Sequence, residues 1–318
     1  MKALVVGCGS VGRRHIKNLL KIDKIKKIFV CTKISGCKRL FDNEYEKLEI
    51  IRRIEDTPFV DFALVCNETY KHYQTAKFLA EKGINLFVEK PVFNSLKNTG
   101  SFRKLIQKKK IKLTVGYNLR FLGALELLKT TIKDSTLGRL YFSQIEAGQY
   151  LPDWRENIDY RKSYSADIRK GGGVGLDLSH EIDYMRYLFG NPRAWKTFKG
   201  KVSRLDIKSD DIFEGVYFFK NNFICNIHLD YLQKEKRRTI RIVGEKGEIF
   251  CDLINKYMKI TKNGKTRIVR ESNLFDLDET YLKEIRDFIY TIEKDKQPKA
   301  RLEDGIWALR LIGADRHV

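Results

Sequence analysis

A glycine-rich string near the start of the chain has the residue types and the spacing to bind a phosphate group. Gly7-Cys8-Gly9-Ser10-Val11-Gly12 follows an apolar run from Lys2 to Val6 and precedes apolar residues at helical spacing, so it lies between a strand and a helix. In that context Gly7 permits the turn, Gly9 lets backbone amides approach a pyrophosphate, and Gly12 lets the helix pack on the strand. The string predicts a dinucleotide site, and the alternative is a glycine turn without a ligand.

A lysine suited to acid/base chemistry stands at the end of a later strand. The run from Leu86 to Val88 leads into Glu89-Lys90-Pro91, which places Lys90 where ligands of open α/β sheets bind. A lysine there could hydrogen-bond a substrate hydroxyl, and burial or a neighbouring cation would lower its pKa toward useful values. The bond to Pro91 could be cis. Without this context the lysine would be read as a surface charge.

A third candidate is an aspartate and a histidine on a predicted helix within Gly171 to Phe189. The apolar residues of this stretch share one face: Leu178, Ile182, Met185 and Phe189. Asp177, His180 and Tyr184 lie on the opposite face of the same helix. Histidine accepts protons near neutral pH, and aspartate can hold a hydroxyl or orient the imidazole. The alternative is a solvated face.

The segments that position the first two candidates alternate between strand and helix. Strand-like runs occur at Lys2 to Val6, Lys27 to Cys31, Phe62 to Cys66, Leu86 to Val88 and Leu113 to Val115. Helical periodicity separates them, as in Tyr73 to Glu81. This alternation predicts a doubly wound parallel sheet. Residues 1–118 are therefore expected to form a Rossmann domain that binds NAD(P).

The residues after the second strand indicate which dinucleotide binds. About 20 residues past the glycine string an acidic residue would hold the ribose hydroxyls of NAD. Cys31-Thr32-Lys33 stands there instead, with Lys38 and Arg39 nearby. Thr32 can donate to a 2'-phosphate oxygen and the cations supply positive charge. The sequence favours NADP over NAD. The alternative is that these cations are surface residues and that the pocket does not discriminate between the two cofactors.

After Phe121 the pattern changes to one helical stretch and then a series of strands. The strand-like runs are Leu140 to Ala147, Phe213 to Phe219, Phe223 to Leu229, Arg238 to Val243 and Glu248 to Asp252. Short turns join several of them, which predicts antiparallel pairing. Residues 119–318 are expected to form an α+β domain with a large, mostly antiparallel sheet. One face of that sheet has no helix of its own, so we expect a homodimer or homotetramer through it.

The segment from Gln149 to Ala166 is long and lacks strand or helix periodicity. It concentrates Tyr, Trp, Arg and Asp, including Trp154, Tyr160, Arg161 and Tyr164. Aromatic rings stack on sugars, while Asp and Arg bind hydroxyls or phosphate. The alternative is a structural loop that is packed by its own aromatic residues.

Taken together, these motifs resemble the glucose-fructose oxidoreductase and inositol dehydrogenase (Gfo/Idh/MocA) family. The matching motifs, in the family's order, are Gly7-Cys8-Gly9-Ser10-Val11-Gly12, Glu89-Lys90-Pro91, Gly116-Tyr117-Asn118-Leu119-Arg120-Phe121, Gly171-Gly172-Gly173 with Asp177, His180 and Asp183, and Arg301-Leu302-Glu303-Asp304-Gly305. The resemblance implies a Rossmann domain followed by a sheet domain and NAD(P)-dependent chemistry on a sugar or cyclitol. It also implies that Lys90, Asp177 and His180 occupy the catalytic positions. The Asp–His spacing is shorter here than is common in the family, and Asn67-Glu68-Thr69 replaces its usual loop.

On this basis the site residues fall into two further groups. The candidate cofactor-binding residues are Gly7, Gly9, Ser10, Val11, Gly12, Thr32, Lys33, Cys66, Asn67, His72, Glu89 and Lys90. The candidate substrate-binding residues are Lys90, Asn118, Arg120, Trp154, Tyr160, Arg161, Tyr164, Asp177 and His180. The loop also resembles members associated with bacterial surface-glycan sugars, in which case Arg161, Lys162, Arg169 and Lys170 could meet a nucleotide diphosphate.

Composition excludes several other classes of protein. The 318 residues carry 62 Lys and Arg against 41 Asp and Glu, but most of the lysines are scattered and lack the interleaved aromatics of single-strand binders. We therefore expect no nucleic acid partner. Six cysteines show no zinc-type spacing, so we expect reduced thiols and no metal. No apolar run is long enough for a membrane span, and the protein is expected to be cytoplasmic.

The sequence thus predicts an oxidoreductase that transfers a hydride between nicotinamide and a sugar or nucleotide-sugar carbon. Lys90 would orient or protonate the oxygen, His180 would act as acid/base, and Asp177 would position a hydroxyl or the imidazole. The alternatives are a cyclitol or free-sugar dehydrogenase, an imine or biliverdin-type reductase, and an NADP-binding sensor without catalysis.

Overall fold

The computed structural model describes residues 1–34, 37, 45–154 and 159–314 and divides the chain into two compact units. The first unit contains Met1–Asn118 and Asp278–Ile306, and the second contains Leu119–Leu277 and the chain from Trp307 on. The helices in chain order are α1 (Ser10–Leu20), α2 (His72–Glu81), α3 (Thr99–Lys108), α4 (Gly123–Lys133), α5 (Val174–Asp177), α6 (Ser179–Phe189), α7 (Leu277–Glu293) and α8 (Leu302–Ile312).

The first unit is built on a parallel sheet of six strands. They are β1 (Lys2–Val6), β2 (Lys27–Cys31), β3 (Leu48–Ile51), β4 (Phe62–Val65), β5 (Asn85–Glu89) and β6 (Leu113–Gly116). Their order in the sheet is β3-β2-β1-β4-β5-β6. This confirms the predicted doubly wound sheet. The sequence analysis missed β3, because its four residues include Glu49 and make only a short apolar run.

Helix α7 packs on this parallel sheet although it lies far along the chain. Ile285, Phe288 and Ile289 belong to the same buried core as the first strands. The ring of Phe288 lies 5.6 Å from that of Phe62 and 6.0 Å from that of Phe87. The predicted second domain, residues 119–318, included α7. In the structure Asp278–Ile306 belong to the first unit, because the apolar stripe of α7 covers the parallel sheet.

The second unit contains a mixed sheet of eight strands. They are β7 (Leu140–Gly148), β8 (Ala194–Gly200), β9 (Ile212–Phe218), β10 (Ile224–Asp230), β11 (Arg237–Gly244), β12 (Gly247–Asp252), β13 (Tyr257–Lys262) and β14 (Lys265–Val269). Only β7 and β10 pair in parallel; the other neighbours in the order β14-β13-β12-β11-β7-β10-β9-β8 are antiparallel. The mostly antiparallel sheet is confirmed. Strands β8, β13 and β14 were missed, since exposed lysines and threonines interrupt their apolar pattern.

Helices α5 and α6 pack on this sheet in contact with β7, β9 and β10. Along β9 and β10 every second residue is buried, as expected for strands with one face on a core. None of the helices in the described ranges is both long and apolar enough to cross a bilayer.

Candidate active site

The glycine turn has the geometry of a phosphate cradle. Gly7 has a φ of +103°, and a Cβ there would lie 2.6 Å from the carbonyl oxygen of Cys66. A Cβ on Gly12 would lie 2.1 Å from the carbonyl oxygen of Gly7, so α1 can approach β1 only without a side chain. Gly9, by contrast, has nothing within 4 Å of its Cβ position and begins α1 without a side-chain cap. Gly9 therefore stands in open space at the start of α1, where the first amides of a helix have no acceptor within the helix.

The end of β2 carries a buried threonine and a cation that the sequence analysis missed. The hydroxyl of Thr32 accepts a hydrogen bond from the Ile34 amide at 3.1 Å. Arg52, directly after β3, donates to the Thr32 carbonyl oxygen at 3.3 Å. Lys33 is exposed beside them. Because β3 was not predicted, nothing in the sequence indicated that Arg52 would reach this strand end; Lys38 and Arg39 lie outside the described residues.

A disulfide joins Cys8 of the glycine turn to Cys37, with the two Cα atoms 6.7 Å apart. The expectation that all six cysteines are reduced is wrong for this pair. The remaining four, Cys31, Cys66, Cys225 and Cys251, are free thiols. The spacing of 29 residues did not indicate the bond, because the pairing of two distant cysteines depends on the fold and not on their spacing.

The loop after β4 is tied to the turn that carries Lys90. The side-chain amide of Asn67 donates to the Thr75 hydroxyl at 2.8 Å. The ring of His72 lies between two carbonyl oxygens, 2.9 Å from that of Asn67 and 3.0 Å from that of Pro91. Burial lowers the pKa of His72. His72 therefore links the two loops through its ring nitrogens, and this role is structural.

Lys90 stands at the carboxyl end of β5, as predicted, and its bond to Pro91 is cis. It is half-buried, while Glu89 before it is buried. Glu89 turns away into the unit, where Oε1 lies 2.5 Å from Nε2 of His15 and Oε2 accepts from the Lys90 amide at 3.2 Å. Asn118, at the end of the unit's first segment, donates to the Thr280 hydroxyl at 2.7 Å.

In the second unit, Asp177 and His180 lie on two short helices rather than on one. Helix α5 ends at Asp177 and α6 begins at Ser179, with Leu178 at φ −99° and ψ 34° between them. Both site residues are buried, to 4% and 8% exposure. The single predicted helix was wrong at this point, and the solvated-face alternative does not fit the observed burial.

Asp177 has a partner that the sequence analysis missed. The hydroxyl of Tyr231 donates to Oδ2 of Asp177 at 2.6 Å. Burial, then the charge of Asp177, raises the pKa of Tyr231 well above its usual value, so the phenol stays a donor. Trp154 packs edge-on against the Tyr231 ring at 5.1 Å. The only signal for Tyr231 was an aromatic residue two positions after the predicted strand Phe223 to Leu229.

Two buried ion pairs anchor α6, which carries His180. Arg120 donates to both carboxylate oxygens of Asp183, at 2.8 and 2.6 Å. Arg238 lies 2.8 Å from the buried Glu181. Arg120 was predicted to bind substrate, whereas the structure places its guanidinium in this pair. The pairs set the rotation of α6 and so the direction of its first turn.

The loop predicted to bind a sugar is a chain of short 3-10 turns with its own internal bonds. Trp154 Nε1 donates to the Gln149 carbonyl oxygen at 2.9 Å, and the Tyr160 hydroxyl accepts from the Asp206 amide at 3.3 Å. Arg161 binds both oxygens of Asp159, and Arg169 repeats this with Asp167. The pKa of Asp167 falls to about 2 because Arg169 hydrogen-bonds its carboxylate. Tyr164 lies in one of the turns, and residues 155–158 are outside the described ranges.

The structure therefore assembles each predicted group within its own unit. In the first unit the glycine turn, the Cys66–His72 loop and the Lys90 turn follow neighbouring strands at one end of the parallel sheet. In the second unit Asp177 and Trp154 both contact Tyr231. His180 follows Asp177 by three residues, in the first turn of α6.

Comparison with known proteins gives two family matches along the chain. Residues 1–117 match an oxidoreductase family with an NAD-binding Rossmann fold, GFO/IDH/MocA, and residues 125–250 match the GFO/IDH/MocA C-terminal domain. The chain is 27% identical over 330 aligned residues to a myo-inositol 2-dehydrogenase of Thermotoga maritima, covering 98% of this chain and 94% of that one. It is 30% identical to an oxidoreductase of Bacillus subtilis, YrbE, over 59% of this chain and about half (53%) of that one. Its fold is similar to the WlbA dehydrogenase from Bordetella pertussis, solved with NADH and UDP-GlcNAcA, with a TM-score of 0.84, 17% identity and coverage of 99% and 94%.

Proposed function

The chain belongs to the GFO/IDH/MocA family of oxidoreductases, and from this premise we propose that it transfers a hydride between NADP and a carbinol or keto carbon of a sugar or nucleotide sugar. NADP is proposed over NAD because Thr32, Lys33 and Arg52 gather a hydroxyl and two cations at the end of β2. No acidic residue occupies the last position of β2, Cys31, or the two positions after it, Thr32 and Lys33.

The observation that carries the proposal is the open space around the Cβ position of Gly9. Gly7 and Gly12 cannot carry a side chain without collision, whereas Gly9 can. Folding of the turn therefore requires glycine at Gly7 and Gly12 but not at Gly9. The free space at the start of α1 is what a pyrophosphate requires.

The chain's own residues would then bind and orient the reacting group. When bound, the nicotinamide would supply or accept the hydride at its C4. Lys90 would donate a hydrogen bond or a proton to the substrate oxygen, and His180 would take up or release the proton of the carbinol. Asp177, held by Tyr231 at 2.6 Å, would accept a hydrogen bond from a substrate hydroxyl. These roles rest on the family resemblance together with the burial of Asp177 and His180.

A nucleotide sugar in surface-glycan synthesis is the substrate we propose first. Two lysines of the 3-10 loop, Lys162 and Lys170, are exposed and next to arginines that are paired with aspartates, so among the loop residues that the structure describes they are the cations proposed to meet a diphosphate. The structurally similar WlbA was solved with a nucleotide sugar. We propose a cytoplasmic location, where reduced nicotinamide cofactors are kept, and a homodimer or homotetramer through the open face of the eight-stranded sheet.

A cyclitol dehydrogenase is the second candidate. The relative from Thermotoga maritima that matches 98% of this chain is a myo-inositol 2-dehydrogenase. Such an enzyme would use the same three candidate catalytic residues on a smaller polyol and would not need Lys162 or Lys170.

Three experiments test the proposal in order. Fluorescence titration with NADPH and NADH should give tight NADPH and weak NADH binding; binding of neither would overturn it. A panel of nucleotide sugars, free sugars and inositols should then show turnover with a nucleotide sugar, and turnover with inositol alone would favour the second candidate. Lys90→Met should abolish turnover while NADPH still binds, and a Lys90→Met protein with full activity in the cell would indicate a sensor instead.

A further inference from the structure

A disulfide lies within the glycine turn where the cofactor's pyrophosphate is proposed to bind. Cys8 stands between Gly7 and Gly9, and its sulfur is bonded to that of Cys37. Both cysteines are 2% exposed and belong to the buried core of the first unit. The hydride transfer proposed above uses neither sulfur. The bond therefore has no part in the proposed chemistry and needs an explanation of its own.

The disulfide closes a loop of chain that contains both phosphate-binding parts of the candidate cofactor site. Between Cys8 and Cys37 the chain forms α1 and β2 and passes Thr32 and Lys33. Cys37 follows Lys33 by four residues, and the bond holds its Cα 6.7 Å from that of Cys8. The disulfide therefore ties the segment proposed to meet the 2'-phosphate to the turn proposed to meet the pyrophosphate.

Backbone hydrogen bonds fix these two parts only at the ends of their strands. The Gly7 amide donates to the Cys31 carbonyl oxygen at 3.0 Å, and the Thr32 amide donates to that of Ile51 at 3.2 Å. Within the described ranges Cys8 itself has no backbone hydrogen bond. Reduction of the disulfide would therefore leave the pairing of the strands in place and remove the link between Cys8 and the chain beyond β2.

Reduction of this bond is a two-electron step that a dithiol can perform. One thiolate of the dithiol attacks a sulfur of the pair, and its second thiol then closes the reductant's own disulfide. The S–S bond between Cys8 and Cys37 breaks, and the two protons of the dithiol end on the two cysteine sulfurs. In the cytoplasm, where we place the protein in the proposed function, thiols are kept reduced, and a disulfide is usually transient and responds to redox conditions.

We propose that Cys8 and Cys37 form a reversible redox site that sets the affinity for NADP. The disulfide form binds the cofactor tightly, and the dithiol form binds it weakly. The reason is that a turn already held in place loses less conformational freedom on binding than a turn that the ligand must order. The effect on NADP rests on the proposed function, whereas the formation of the bond does not.

Cofactor binding and oxidation of the pair must then favour each other by the same factor. If NADPH binds the disulfide form about tenfold more tightly, bound NADPH shifts the equilibrium between dithiol and disulfide about tenfold toward the disulfide. A cofactor without a preference for either form would leave that equilibrium unchanged. Two independent measurements must therefore give one coupling factor.

The first measurement compares the two forms of the wild type by fluorescence titration with NADPH. Alkylation and mass spectrometry should count four free thiols after oxidation with glutathione disulfide and six after reduction with dithiothreitol. The Kd for NADPH should rise about tenfold on reduction, while the far-ultraviolet circular dichroism stays the same. Cys37→Ala should bind NADPH as weakly as the reduced wild type under both conditions. Cys31→Ala removes a free thiol at the end of β2 and is the matched control, which should keep the tenfold difference.

The second measurement determines the coupling from the redox side. In a buffer of reduced and oxidised dithiothreitol, saturating NADPH should raise the ratio of disulfide to dithiol protein about tenfold. An unchanged ratio, an equal Kd for both forms, six free thiols under both conditions, or a redox response that persists in Cys37→Ala would overturn the proposal. A reduced protein that loses its helical signal would also overturn it, since the bond would then only stabilise the fold. If neither form binds NADPH or NADH, the proposed function fails as well, whereas a measurable but equal Kd is a failure of the redox site alone.

Discussion

The hydroxyl of Tyr231 donates a 2.6 Å hydrogen bond to the carboxylate of Asp177, and both side chains are buried. The bond joins the end of a sheet strand to the end of helix α5. It fixes one oxygen of a candidate catalytic carboxylate, and it was not predicted from the sequence.

Tyr231→Phe removes this donor and leaves a buried carboxylate with less support. We expect a loss of about 1–3 kcal/mol in the free energy of unfolding and a lower kcat. Tyr184→Phe is the matched control, because Tyr184 is also fully buried and its hydroxyl has no hydrogen-bond partner in the described part of the chain. Urea unfolding and steady-state kinetics check both, and equal effects in the two variants would contradict the role of the Tyr231–Asp177 bond.

Gly9→Ala and Gly12→Ala should separate cofactor binding from folding. A Cβ on Gly9 meets no protein atom, so the thermal midpoint should stay unchanged while the Kd for NADPH rises about tenfold or more. A Cβ on Gly12 would collide with the Gly7 carbonyl and cost about 1–3 kcal/mol of stability. Gly100→Ala in α3, also in open space, controls for helix propensity and should leave NADPH binding intact. Normal NADPH affinity in Gly9→Ala would place the pyrophosphate elsewhere.

Arg52→Ala should weaken NADPH binding selectively. If Arg52 and Lys33 meet the 2'-phosphate, the Kd for NADPH should rise about tenfold and that for NADH should stay within about twofold. Arg53→Ala is the control, since Arg53 is exposed and paired with Asp56. Parallel fluorescence titrations measure both, and an equal loss for the two cofactors would rule out phosphate recognition by Arg52.

Arg120→Met should destabilise the second unit strongly. The change leaves Asp183 buried without its partner, and breaking a buried ion pair costs about 3–5 kcal/mol. Arg161→Ala breaks the exposed pair with Asp159 and should leave stability nearly unchanged. All three tryptophans, Trp154, Trp195 and Trp307, lie in the second unit, so their fluorescence during urea unfolding reports on it directly. A small effect of Arg120→Met would mean that the pair does not hold α6.

The stability of the second unit should fall between neutral and alkaline pH because of His228. Hydrogen bonds that His228 donates to Asp230 and then to Glu214 raise the pKa of His228 to about 9, against about 6.5 in the unfolded chain. The interaction of charged His228 with these two carboxylates therefore stabilises the fold fully below about pH 6.5. This contribution is lost as the pH rises through about 9. The His228 side chain is 35% exposed, so the effect is reduced by solvent. His228→Gln should flatten the decline in urea midpoint from pH 7 to 10, and an unchanged slope would contradict the assignment.

The features predicted correctly from the sequence are those that a short stretch of chain determines. The glycine turn after β1 and the position of Lys90 follow from a few adjacent residues and an apolar run. The strands of the second unit with clean alternation, such as β9 and β10, were found for the same reason.

The features missed depend on contacts between distant segments. Arg52 reaches Thr32 only because β3 pairs with β2, and β3 has too few apolar residues to be recognised. The pair of Arg120 with Asp183 was not predicted, because it depends on α6 bringing an acidic residue to Arg120. Cys8 and Cys37 form a bond between residues 29 positions apart, which no spacing rule specifies.

The return of α7 to the first unit has a consequence for how the protein is made. The parallel sheet is complete once residue 118 has left the ribosome, but the helix that covers Phe62 and Phe87 is encoded after residue 276. At about 5–20 residues per second, translation needs on the order of ten seconds or more to reach it. During that interval the nascent sheet exposes apolar surface, so the first unit can complete its folding only after most of the second unit has been made.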